Sequence, residues 1–298
     1  MLALVADRSS SSGVSLAEAP EPQPGPGETL VEVRAVSLNR GEVRRLPARP
    51  EGTIPGWDVA GVTADGTRVV GLADQGGWAE RAVVPDERLA TIPDDVSFEA
   101  ASTLPVAGLT AIRALEVGGP LLGRRVLVTG AAGGVGRFAV QLAHRAGAHV
   151  TGVVRNAERG EGLRELGADE LITELEPEGE TFDLLLESVG GASLAAALTR
   201  VGPGGTVVAF GASSPEPTTF EVSKFYNRGA PRLYGLRVFD ELARTHSGVR
   251  DLELLLTELS AGRLDAQIDL TQSWREADTA IAALIDRRVA GKAVLTVG

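Results

Sequence analysis

The sequence predicts an α/β protein in which a doubly wound parallel sheet is inserted into a barrel-like, β-rich domain. Three observations carry this. The first hundred residues read as short strands and tight turns. The middle of the chain alternates apolar strands with helical patterns, and a glycine-rich loop joins the first of those strands to the helix that follows. At 298 residues the chain is long enough for one large domain or two ordinary ones.

Each element has a local signal. "LALVAD" is a strand that runs into a Ser/Gly turn, and "APEPQPGPGE" is a proline-rich turn with few backbone donors. "TLVEVRAVSL" alternates like a half-buried strand. "DVAGVTADGTRVVGLA" reads as two strands joined at Asp65 and Gly66, a hairpin signal, and "GWAERAVVP" and "LATIP" continue the series. Near residue 97 the period changes, and "SFEAASTLPVAGLTAIRALEV" has helical spacing. "RVLVTG", "HVTGVV", "ELIT", "FDLLLES", "GTVVAFG" and "RLYGLRV" follow as strands. Helices are expected at "VGRFAVQLAHRAG", "AERGEGLRELG", "SLAAALTRV" and around residues 240 to 261. The tail reads as strand, helix, strand and is expected to return to the first domain. The division is therefore 1–107 and 243–298 for a catalytic domain and 108–242 for a dinucleotide-binding domain.

Composition removes several function classes. A net charge of −11 disfavours nucleic-acid and anionic-membrane partners, which leaves a small-molecule substrate as the expected partner. The chain has no cysteine, so disulfides, thiolate catalysis and cysteine-ligated metals are ruled out. The three histidines, His144, His149 and His246, show no ligand spacing, and no metal is expected. The apolar run at the N-terminus stops at Asp7 without a basic start, and no stretch has the length of a membrane span, so a cytoplasmic location is expected.

The loop in "VLVTGAAGGVGRFAVQLAHRAG" aligns with G-x-G-x-x-G as Ala131, Ala132, Gly133, Gly134, Val135 and Gly136, with Ala131 in place of the first glycine. Gly133 is expected to admit a pyrophosphate, Gly136 to let helix and strand pack closely, and the helix N-terminus to supply N–H donors. The next strand ends at Arg155 and Asn156, where NAD-binding chains carry an acid for the ribose hydroxyls. Arg155, with Arg159 four residues on, suits the 2′-phosphate of NADPH; two solvated arginines are the alternative reading.

Together these residues resemble the zinc-independent quinone oxidoreductase and enoyl reductase branch of the medium-chain dehydrogenase/reductase superfamily. The resemblance runs through "PGWDVAGVT", "GGWAERAVVPDERLATIPDDVSFEAASTLPVAGLTAIRAL", "VTGAAGGVGRFAVQLA", "ESVGG" and "GKAVLTV". It implies a Rossmann domain inserted in a GroES-like catalytic domain, and a homodimer formed through an edge of the Rossmann sheet. Zinc-dependent relatives carry a His-Glu pair where Trp57 and Asp58 stand here, and both zinc sites of those relatives are lost. The resemblance places Asn39 near nicotinamide and substrate, with Glu42 where the family commonly has Asp. It places Thr110 near the cofactor phosphates, Ser188, Val189, Gly190, Phe210 and Gly211 along the cofactor groove, and Lys292 close to the cofactor. The implied activity is NADPH-dependent hydride transfer to a quinone or an electron-poor C=C bond of an enone or enoyl compound, without metal. The reduced acceptor needs a hydrogen bond and a proton, for which Asn39, Tyr226, Lys224 and solvent are candidates. Tyr226 and Tyr234 also read as packing residues. A non-catalytic NADPH-binding sensor or scaffold of the same fold is the alternative.

Overall fold

A computed structural model describes residues 1–298. Strands β1 (Leu2–Ala6) and β2 (Val14–Glu18) pair antiparallel across the serine-rich turn. Strand β3 (Glu28–Leu38) leads into a short helix α1 (Arg40–Val43). Strands β4 (Asp58–Val62) and β5 (Arg68–Leu72) form the hairpin expected at Asp65 and Gly66, with Gly66 at φ +85°. Strands β6 (Arg81–Pro85) and β7 (Leu89–Thr91) follow.

The long helical pattern after residue 97 is interrupted. Helix α2 (Phe98–Ser102), capped by Ser97, gives way to a wide π-helical turn at Leu104–Gly108 before α3 (Leu109–Gly118). Pro105 has no N–H to give, and the Val106 N–H donates 2.8 Å to Asp58 Oδ1 rather than continuing the α-helical ladder.

The alternation then runs β8 (Arg125–Thr129), α4 (Gly134–Arg145), β9 (His149–Val153), β10 (Glu170–Ile172), β11 (Phe182–Glu187), α5 (Gly191–Arg200), β12 (Val201–Ala209), α6 (Val222–Tyr226) and β13 (Arg232–Gly235). The helix expected over "AERGEGLRELG" is absent. Only a single 3-10 turn, Glu158–Gly160, forms there, because Gly162 and Gly167 adopt φ of +76° and +107°. The helix expected around 240 to 261 is two helices, α7 (Val238–Thr245) and α8 (Gly248–Ser260), parted at His246 with φ +51°. Strand β14 (Ile268–Ser273), helix α9 (Ala277–Ile285) and strand β15 (Lys292–Thr296) complete the chain.

Two compact units result, Met1–Leu109 with Thr245–Gly298, and Thr110–Arg244. The first holds a seven-stranded sheet with β14-β15-β3-β4-β5-β7 in order and β6 paired to β3, together with the β1–β2 ribbon. Its core includes Leu38, Val59, Trp78, Trp274 and Leu295, and α9 adds Ala277, Ala280 and Ile281 from one face. The second unit holds a sheet ordered β10-β9-β8-β11-β12-β13 with every pairing parallel. Counted within the unit this is 3-2-1-4-5-6, the Rossmann order, and the strand sequence reverses between β8 and β11. The chain thus carries a parallel Rossmann sheet in one unit and a β-rich, GroES-like fold in the other, whose two chain segments flank the Rossmann segment in sequence. No helix is long and apolar enough to cross a membrane.

Candidate active site

In the second unit, the loops after β8 and β11 meet at the reversal point. The tight turn out of β8 is made by Gly130, at φ +60°, rather than by the next position, Ala131, where the aligned motif puts it. Ala131 is fully buried, and its N–H donates to the Val153 carbonyl of the neighbouring strand. A Cβ on Gly136 would lie 2.5 Å from the Gly130 carbonyl oxygen and 2.7 Å from Ala131 Cα, so only glycine lets α4 pack this close to the turn. Gly133 caps α4 without a side-chain bond, which leaves N–H groups of the first turn for an outside acceptor. Ala132 is buried, and Gly134 and Val135 are half-buried on the same turn.

The loop after β11 is held by a buried carboxylate that the sequence motifs do not single out. Glu187 is fully buried. Its Oε1 accepts from Val189 N at 3.0 Å and Ser193 Oγ at 2.9 Å, and its Oε2 from Gly190 N at 2.9 Å. These donors lie at the start of α5, so the chain supplies its own anion to that helix end. Ser188 ties the two loops together. Its N–H donates to Thr129 Oγ1 and its hydroxyl to the Thr129 carbonyl, at 2.9 and 3.0 Å. Phe210 N bonds the Glu187 carbonyl, and the close approach of Gly211 to Ser188 leaves no room for a Cβ. A polar residue ending an apolar strand, as in "FDLLLES", is the available sign of Glu187.

Arg155 and Asn156 are exposed, just beyond β9. Thr129 pairs with Val153, so Arg155 leaves the sheet on the strand beside the glycine loop. Asn156 Oδ1 accepts from the Arg159 N–H at 3.0 Å, and this turn carries both arginines. Thr110 is buried near the start of α3. Tyr226 is 61% exposed at the end of α6, Lys224 pairs with Glu221 at 3.2 Å, and the Tyr234 hydroxyl donates to Glu241 at 2.7 Å.

In the first unit, Asn39 and Lys292 meet in one buried polar network with Ser37, Glu42 and Asp58. Strand β3 delivers Ser37, the start of α1 delivers Asn39 and Glu42, β4 delivers Asp58, and β15 delivers Lys292. The Asn39 amide donates to Asp58 Oδ2 at 2.8 Å and Glu42 Oε1 at 3.0 Å, and its oxygen accepts from Lys292 Nζ at 2.7 Å. Lys292 also donates to the Leu38 carbonyl at 3.3 Å and lies 3.4 Å from Asp58. Ser37 Oγ donates to Asp58. Burial, reinforced by the Asp58 charge, pushes the Glu42 carboxyl up to about 8, against the Asn39 hydrogen bonds and the Lys292 charge.

Lys292 is 2% exposed, and its ammonium is engaged inside the unit by Asn39, Asp58 and the Leu38 carbonyl. Both Asn39 N–H donors are committed to carboxyls, so Asn39 has none left for a reacting oxygen.

The family model described as zinc-binding dehydrogenase matches residues 134–249. The chloroplast envelope quinone oxidoreductase homolog of Arabidopsis thaliana is 28% identical over 319 residues, 96% of this chain and 94% of that protein. The mitochondrial enoyl-acyl-carrier-protein reductase of Homo sapiens is 29% identical over 294 residues, 89% and 77% of the two. The quinone oxidoreductase from Thermus thermophilus, solved also in complex with NADPH, is 32% identical. It superposes with a TM-score of 0.84, covering 99% of this chain and 100% of that one. This chain belongs to the medium-chain dehydrogenase/reductase superfamily, in its quinone oxidoreductase and enoyl reductase branch. It is an oxidoreductase of that family.

Proposed function

We propose that the protein uses NADPH to reduce a quinone or an electron-poor C=C bond, as in an enone or enoyl compound, without a metal. The observation that carries the reading is the glycine cradle at the reversal point of the sheet. There Gly130 turns the chain, Gly136 admits the helix, and the uncapped start of α4 offers N–H groups to a pyrophosphate. Ala132, Gly133, Gly134 and Val135 line that cradle, and Thr110, Ser188, Val189, Gly190, Phe210 and Gly211 complete the groove. Arg155, with Asn156 and Arg159 in the same turn, takes the 2′-phosphate that separates NADPH from NADH. The bound nicotinamide supplies the hydride; the protein supplies alignment and water exclusion.

The donor inventory supports a metal-free reaction. The chain has no cysteine, and no group of three or more His, Asp or Glu side chains is placed to hold a metal ion. The acceptor must therefore be electron-poor enough to take hydride directly. With the Asn39 donors spent, Tyr226, Lys224 and solvent remain as sources of the final proton.

The test is NADPH oxidation across quinones, enones and simple alcohols after dialysis against a strong chelator. Turnover of quinones or enones should survive. Loss on chelation, or alcohol oxidation with inert enones and quinones, would sink the proposal. Tight NADPH binding with silence toward every acceptor would favour a sensor or scaffold.

We also propose a homodimer through β13. This strand is the open edge of the Rossmann sheet, and Leu233 on it is 46% exposed, with Val222 at 60% nearby in sequence on α6. Light scattering at micromolar concentration should give the mass of two chains, and Leu233→Lys should lower it. A mass of one chain for the unaltered protein would reject the dimer.

A further inference from the structure

We propose that Glu42 works as an uncharged carboxylic acid that fixes the Asn39 amide as a hydrogen-bond acceptor. The argument starts from a charge count. Ser37, Glu42 and Asp58 are fully buried and Lys292 is 2% exposed. Two carboxyl groups thus share one ammonium, and that ammonium sits on Asp58, Asn39 and the Leu38 carbonyl. Lys292 is the cation whose charge acts on Glu42. From α9 the charged neighbour is Asp278, exposed and bonded by Ser12; on α1 and just after it Arg44 and Arg45 are exposed and Arg40 is half-buried. A second buried negative charge would have no compensation.

The hydrogen bonds point the same way. Glu42 Oε1 accepts two donors, Asn39 N at 2.8 Å and Asn39 Nδ2 at 3.0 Å, which is the full capacity of a carbonyl or carboxylate oxygen. Glu42 Oε2 is buried and has no partner. An ionised carboxylate would leave that oxygen charged and undonated, whereas a neutral acid leaves only an O–H, the smaller penalty. Burial pushing Glu42 upward agrees with this geometry.

The neutral acid completes a lock on the amide. Flipping Asn39 would set its NH2 group against the Lys292 ammonium and its oxygen against Asp58, so the network permits one orientation. The Asn39 oxygen thus faces the Lys292 ammonium, and in the capping box of α1 it also faces the Glu42 N–H.

Two measurements test the proposal. The infrared difference between the unaltered protein and Glu42→Gln should show a protonated carboxylic acid band at about pH 6 that fades by about pH 10. Its absence at the lower pH overturns the neutral acid whether or not turnover is found. Glu42→Gln keeps the shape and cannot ionise. The unaltered protein should therefore lose stability relative to this variant as pH rises from about 4.5 to about 8, and no further above that. The sign follows because the folded state holds the proton across that window and the unfolded state does not. Parallel pH curves overturn the proposal.

Discussion

Lys292→Ala is expected to cost about 3–5 kcal/mol of stability, the largest effect of any single substitution considered for this protein. Removing the ammonium leaves Asp58 buried as an uncompensated anion, frees the Asn39 oxygen and empties the position beside the Leu38 carbonyl. The double variant Lys292→Ala with Asp58→Asn should recover part of the loss, because much of the cost is the stranded charge rather than the missing bond. All three tryptophans, Trp57, Trp78 and Trp274, lie in the unit that holds this network, so tryptophan fluorescence during urea unfolding follows that unit selectively. A loss below about 1 kcal/mol would show that the network is not sealed from water.

Arg155→Ala should weaken NADPH by roughly tenfold to a hundredfold and leave NADH almost unchanged. A charge-assisted hydrogen bond contributes roughly 1.5–3 kcal/mol, and each 1.4 kcal/mol is about tenfold in affinity. NADH lacks the 2′-phosphate, so it has nothing for the guanidinium to lose. Arg155 is exposed, so raised salt should erode the NADPH preference as well. Fluorescence titration of both cofactors against both proteins checks this. Equal losses for the two cofactors, or tighter NADH binding by the unaltered protein, would remove Arg155 from cofactor selection.

The Rossmann order is legible in the sequence because its signals are local and repeated: apolar strands, amphipathic helices and a glycine loop between the right pair. The loop motif itself aligns one residue late. It sets Ala131 at the turn position, but the positive φ belongs to Gly130, and no spacing rule says which of two adjacent small residues turns the chain. Helix breaks stay hidden where long-range partners decide them. Val106 leaves the helical ladder because Asp58, 48 residues away, takes its N–H. Glu42 and Lys292 both stand out in the sequence, yet nothing in either segment shows that they enclose the same amide. That fact exists only once β3, β4 and β15 lie side by side. Asn39 shows the same limit, since a sequence displays its donors but not which of them are already spent.

The placement of Lys292 has a consequence for how this protein is made. Its partner Asp58 precedes it by 234 residues, and the whole Rossmann unit is translated between them. During synthesis the first 109 residues emerge with Asp58 and Asn39 in place but without their cation, and without β15, which pairs with one edge of β3. That early segment cannot seal its interior and stays open while the intervening unit, whose contacts are self-contained, is free to fold first. The ammonium of Lys292 then acts as the closing clasp, arriving late and converting an unfinished half-domain into a closed one.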